Sequence, residues 1–128
     1  MKSRDSLIRL KRFQVEDKKR QVAQIEAMIA EFDRMARELN DQVLAEQERS
    51  GIHDAGHFAY PTFAKAAIQR RDNLSASERA LKDKLAVAKA AFDEAVAELQ
   101  KAEAIAERDQ ANDNKHAAHR NAHEVRAS

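Results

Sequence analysis

The side chains here that could carry metal or acid–base chemistry are five histidines and twenty-two carboxylates, with no cysteine. His116, His119 and His123 recur at i, i+3 and i+7, which places three imidazoles on one helical face, a spacing that could hold a transition metal. No carboxylate completes that set, and the helix-poor run Asn112-Asp113-Asn114 precedes it, so the three read as part of a polar tail. His53 and His57 flank Asp54 in a stretch that contains both glycines of the chain. Such a stretch is not preorganised for a metal, and these three read as ordinary loop residues. There is no glycine-rich phosphate loop and no thiol nucleophile. Carboxylates at this density on helices are a solvated face. The expectation is a protein with no cofactor, no metal and no small-molecule substrate, and not an enzyme, because two helices enclose no polar pocket.

Basic clusters are the next candidates. Lys11-Arg12, Lys18-Lys19-Arg20 and Arg70-Arg71 could meet phosphates. No aromatics are interleaved with them to stack on bases, which argues against nucleic acid. The other reading of these cations is partial pairing with an acidic stretch of the second helix. Residues 1–20 hold 8 basic and 3 acidic side chains, net +5. A positive block at a helix N-terminus opposes the macrodipole. Arg9, Lys11, Arg12, Lys18 and Lys19 are therefore candidate contacts for an acidic partner surface. A second candidate surface is aromatic. Phe58, Tyr60 and Phe63 are three of the chain's six aromatics, and Arg70 and Arg71 follow them. Aromatics at such a place either cap the end of a helix pair or meet a partner, or do both.

These residues are positioned by long helices. Of the 128 residues, 35% are charged, two are glycine and one is proline. That supply of turn residues excludes sandwiches, barrels and alternating α/β folds. Val22, Ile25, Ile29, Phe32, Ala36, Leu39 and Val43 keep a strict 3-4 spacing, which is a heptad seam. It extends back through Val15 and Ile8, with Lys18 and Lys11 standing where apolar residues belong. Leu7, Leu10 and Phe13 form a competing stripe. The second seam runs Leu74, Glu78, Leu81, Leu85, Ala88, Phe92, Ala95, Leu99, Ala102 and Ala106, and only Glu78 breaks it. Ser75-Ala-Ser-Glu78 could be a capping box that opens a new helix. The sustained register favours a continuous helix instead.

The expected fold is all-α, an antiparallel two-helix coiled-coil hairpin over residues 1–111. Its parts are a helix at 3–49, a loop at 50–60 and a helix at 61–111, followed by a frayed tail at 112–128. Pro61 suits the first turn of the second helix. Charge blocks set the orientation. Residues 21–50 carry net −4, 61–84 net +3 and 85–110 net −3. A turn near Ala55 brings blocks of opposite sign together. No run approaches the length of a membrane span and no signal-peptide core opens the chain, so the expected location is cytoplasmic, with membrane contact only peripheral.

The N-terminal segment Lys2-Ser-Arg-Asp-Ser-Leu-Ile-Arg-Leu-Lys-Arg-Phe13 and the segment Phe58-Ala-Tyr-Pro-Thr-Phe-Ala-Lys-Ala-Ala-Ile-Gln-Arg-Arg-Asp-Asn-Leu74 resemble the FliJ family of flagellar export proteins, in its alphaproteobacterial branch. The resemblance covers residues 1–110. It implies an antiparallel two-helix rod like the central stalk of rotary ATPases, with no catalytic role. It also implies three partners: the export ATPase ring, the membrane export gate protein and export chaperones. The function expected from it is in flagellum biogenesis, protein export and motility. The competing expectation is a generic coiled-coil adaptor or a basic nucleic-acid-associated protein.

Overall fold

The computed structural model describes the backbone of residues 2–127 and the side chains of residues 3–123. It is all-α: α1 spans Lys2–Ser50 and α2 spans Thr62–Ala127, with no strand among the described residues. The chain divides into two compact units. One is Gln21–Lys89; the other joins the residues up to Arg20 with those from Ala90 onward.

In the unit Gln21–Lys89, α1 and α2 run antiparallel on either side of the loop 51–61. The heptad seam is the buried edge. Ala36, Val43, Tyr60, Ala64, Ala67 and Leu81 are buried, and Val22, Ile25, Ile29, Phe32, Leu39, Leu74 and Leu85 are half-buried between them. Ala64 is wholly inaccessible. Small side chains at Ala64 and Ala67 let the two backbones approach closely beside the loop, where Val43 and Tyr60 supply the bulk.

Hydrogen bonds from side chains and backbone shape the loop. Gly51 takes φ 73°, and its N–H donates to the Gln47 carbonyl at 2.9 Å. This is a left-handed stop to α1, and it requires glycine for the backbone angle, since a Cβ there would meet nothing within 4 Å. Ser50 Oγ accepts the Ile52 N–H at 3.2 Å. Asp54 Oδ1 accepts the Gly56 N–H at 2.9 Å, and His57 Nδ1 accepts the Ala59 N–H at 3.0 Å. The Pro61 carbonyl accepts the first bond of α2, from Lys65 at 3.1 Å. Pro61 is thus the cap residue immediately ahead of α2, one position earlier than the first-turn role its sequence predicts.

In the other unit the start of α1 runs antiparallel to the final stretch of α2. Ala95 and Ala102 are buried, and Ile8, Val15, Phe92, Leu99 and Ala106 are half-buried. The 3-4 seam prevails over the competing stripe. Lys11 and Lys18 are half-buried in it, while Leu7, Leu10 and Phe13 are 48%, 51% and 63% exposed. A lysine stem packs along an apolar edge while its ammonium reaches outward, so Lys at these positions keeps the register.

One boundary expectation needs correction. α2 is continuous through Ser75–Glu78, as the register favours, but it does not end at 111. It continues helically to Ala127 in place of a frayed tail. The Arg4 guanidinium lies 3.9 Å from Asp109 and 3.8 Å from Asp113 and donates to Gln110 Oε1 at 3.3 Å. Gln110 Nε2 in turn donates to Asn114 Oδ1 at 3.1 Å, one turn on. These side-chain bonds hold the helix through residues of poor intrinsic propensity.

Candidate interaction surfaces

The ten candidate residues fall into two groups, one in each unit. Phe58, Tyr60, Phe63, Arg70 and Arg71 belong to Gln21–Lys89. Arg9, Lys11, Arg12, Lys18 and Lys19 belong to the other.

In the first group Phe58 is 95% exposed. Its ring stacks on His57 with centroids 4.7 Å apart, so the loop presents a braced aromatic pair to solvent. Phe63, in the first turn of α2, is 56% exposed. Of the two roles expected for these aromatics, Tyr60 takes the capping one: it is 4% exposed, and its hydroxyl accepts a hydrogen bond from Gln47 Nε2 at 2.9 Å. Tyr60 closes the end of the helix pair, while Phe58 and Phe63 stay exposed. Arg71 is half-buried and donates to Asn40 Oδ1 across the pair at 2.8 Å and to Asp72 beside it. Arg70 is exposed and lines an open cleft of about 400 Å³ with Met35, Glu38, Leu39, Gln42 and Leu74. Asn40 and Gln47, which anchor Arg71 and Tyr60, went unmarked in the sequence. The available signal was their spacing of seven residues along the flank of the seam.

The second group divides by its partners. Lys11 is committed to Glu98, with Nζ 2.8 Å from Oε2. The hydrogen bond from Lys11 and its charge hold the Glu98 carboxyl below the ordinary range. Lys18 is half-buried beside Glu94, Ala95 and Glu98. Arg9, Arg12 and Lys19 are exposed, and among the described residues none of them carries an ion pair. The predicted complementarity of charge blocks is realised unevenly. In this unit Arg4 and Lys11 bridge the two helices. In Gln21–Lys89 the ion pairs among the described residues lie within single helices, as with Arg34 on Glu31 and Glu38 and with Arg49 on Glu46. Arg34 holds the Glu31 carboxyl low through a side-chain hydrogen bond.

Among the described residues no group of three or more His, Asp or Glu side chains is arranged to hold a metal ion. No helix there is long and apolar enough to cross a membrane. No family model, no curated protein and no solved structure matches the chain.

Proposed function

We propose that this chain is a non-enzymatic component of a flagellar type III protein-export apparatus. In this reading it is a stalk-like element that couples the export ATPase ring to the membrane export gate and handles export chaperones. It works in the cytoplasm, peripherally at the inner face of the cell membrane, and serves flagellum assembly and motility. The reading rests on the two segments that resemble FliJ proteins. The observation that carries it furthest is that the start of α1 pairs antiparallel with the far stretch of α2 through Arg4 and Lys11, the helix pairing that such a stalk needs. The exposed cations Arg9, Arg12 and Lys19 then offer contacts to an acidic ring surface, and Phe58 and Phe63 offer contacts to a second partner.

Affinity purification of the tagged full-length chain from its own cell tests this. The expected result is co-purification of a flagellar-type export ATPase, with loss of motility on deletion of the gene. Absence of the ATPase together with normal motility overturns the reading. Exposed unpaired cations also fit the alternative of a basic nucleic-acid-associated protein. That alternative requires binding to duplex DNA that weakens steeply as salt rises.

A further inference from the structure

The export reading makes no use of the stripe Leu7, Leu10 and Phe13. These side chains are 48%, 51% and 63% exposed, and Ile105, on the opposing stretch of α2 in the same unit, is 45% exposed. Leu7 and Ile105 share an open groove with Lys11, Glu98, Lys101 and Ala102. From there Leu10 and Phe13 continue the apolar surface around α1. Solubility alone leaves four large apolar side chains so placed unexplained.

We propose that this patch docks the unit on an anionic lipid surface, with Leu7, Leu10, Phe13 and Ile105 entering the headgroup boundary and arginines at the rim meeting lipid phosphates.

Three observations select a bilayer over a partner helix. First, the residues step by three, so each lies about 60° further round the helix and the three cover about 120° of its outward face. A docking helix needs a row at alternating three and four that stays on one line; a patch spread over a convex face suits a soft surface. Second, the line that a docked helix would follow continues through Gln14, Asp17 and Gln21, which are polar. Third, the cations stand at the rim. Arg9 lies one turn from Phe13, and Arg108 and Lys101 lie one turn to either side of Ile105; all three are exposed. Arg9 and Arg108 carry no ion pair among the described residues. The acids on this side each stand by a cation: Asp17 is 3.7 Å from Arg20, Glu98 is 2.8 Å from Lys11 and Asp109 is 3.9 Å from Arg4. Apolar side chains flanked by Lys and Arg are the arrangement that interfacial helices use.

The inference does not depend on the export reading, and a failed ATPase co-purification leaves it standing. Its test is flotation of the full-length chain with vesicles of phosphatidylcholine alone or mixed with phosphatidylglycerol. The chain is expected to float with the mixed vesicles at low salt and to stay behind with the neutral ones. Arg9→Gln and Arg108→Gln should each weaken partition about fivefold. The double variant Leu10→Gln, Phe13→Gln should abolish flotation with helicity unchanged by circular dichroism, because both side chains are already exposed. The inference is overturned if the chain does not float with anionic vesicles. It is equally overturned if the double variant floats as the parent does, since the attraction would then be charge alone. Binding of an acidic amphipathic peptide through Phe13, without flotation, would assign the patch to a protein partner and also overturn it.

Discussion

Gln47 Nε2 donates to the Tyr60 hydroxyl at 2.9 Å, so the last full turn of α1 is tied to the residue that precedes Pro61. Tyr60 is buried, as Val43 and Ala64 are, and 4% of it remains exposed. Removing the hydroxyl and removing the ring should therefore have different costs. Tyr60→Phe loses one hydrogen bond, worth about 1 kcal/mol. Tyr60→Ala removes an aromatic ring from a closed site, a cost of about 3–5 kcal/mol. Urea denaturation followed by circular dichroism measures both. Equal effects of the two variants would mean that the ring contributes nothing beyond its hydroxyl.

Gly51 isolates a backbone requirement. Its φ is 73° and no atom lies within 4 Å of where a Cβ would sit. Gly51→Ala should still destabilise by about 1–2 kcal/mol, because an L residue resists the left-handed region. Gly51→Asn should cost less, since asparagine tolerates that region. Thermal melts of the two variants give the ranking, and alanine equal to glycine would remove φ as the reason for glycine here.

Much of this architecture is legible in the residues. The seam from Val22 to Val43 follows from its period alone, and so does the burial of Leu81 and Ala95 on α2. Lys11 and Lys18 look like faults in that period, yet they hold the register, because a lysine stem can lie along an apolar edge while its charge stays in water. The boundary of α2 was illegible for a different reason. Asn112-Asp113-Asn114 reads locally as a helix end, whereas the interactions that carry the helix across it come partly from Arg4, whose hydrogen bond to Gln110 spans 106 residues of sequence. Local propensity cannot register a partner so distant. Among the candidate contacts, exposure of Phe58 and burial of Tyr60 also needed coordinates. The one usable hint was that Tyr60 continues the seam register of Ala64 and Ala67 back into the loop.

Lys11 and Glu98 give a pH signature. The Lys11 hydrogen bond, followed by its charge, lowers the Glu98 carboxyl. A carboxyl lowered in the folded state contributes stability above its unfolded value of about 4.3, and that contribution is lost as pH falls through the lower folded value. Lys11→Met should shift the Glu98 titration upward, toward the ordinary value, and should remove this part of the acid sensitivity. Glu98 is exposed, so salt should produce the same upward shift in the parent chain. A carboxyl-detected NMR titration of Glu98 in parent and variant checks this. An unchanged midpoint would mean that Lys11 does not hold Glu98 in solution.

Phe58 and Ala64 stand seven and thirteen residues into the chain beyond Gly51, yet their substitution should have opposite consequences. Phe58 is 95% exposed and stacks on the His57 ring. Phe58→Ser should therefore change stability by no more than about 0.5 kcal/mol while it weakens any complex made through the loop. Ala64 is inaccessible between the helices. Ala64→Leu should force the backbones apart and cost about 1–3 kcal/mol, whatever the loop binds. Denaturation and partner capture on the same two variants separate the roles. Lost capture with unchanged stability at Phe58, set against lost stability at Ala64, would place recognition on the loop's aromatic pair and structure on the close approach behind it. Undiminished capture by Phe58→Ser would remove that ring from the binding surface and leave Phe63 as the aromatic still exposed there.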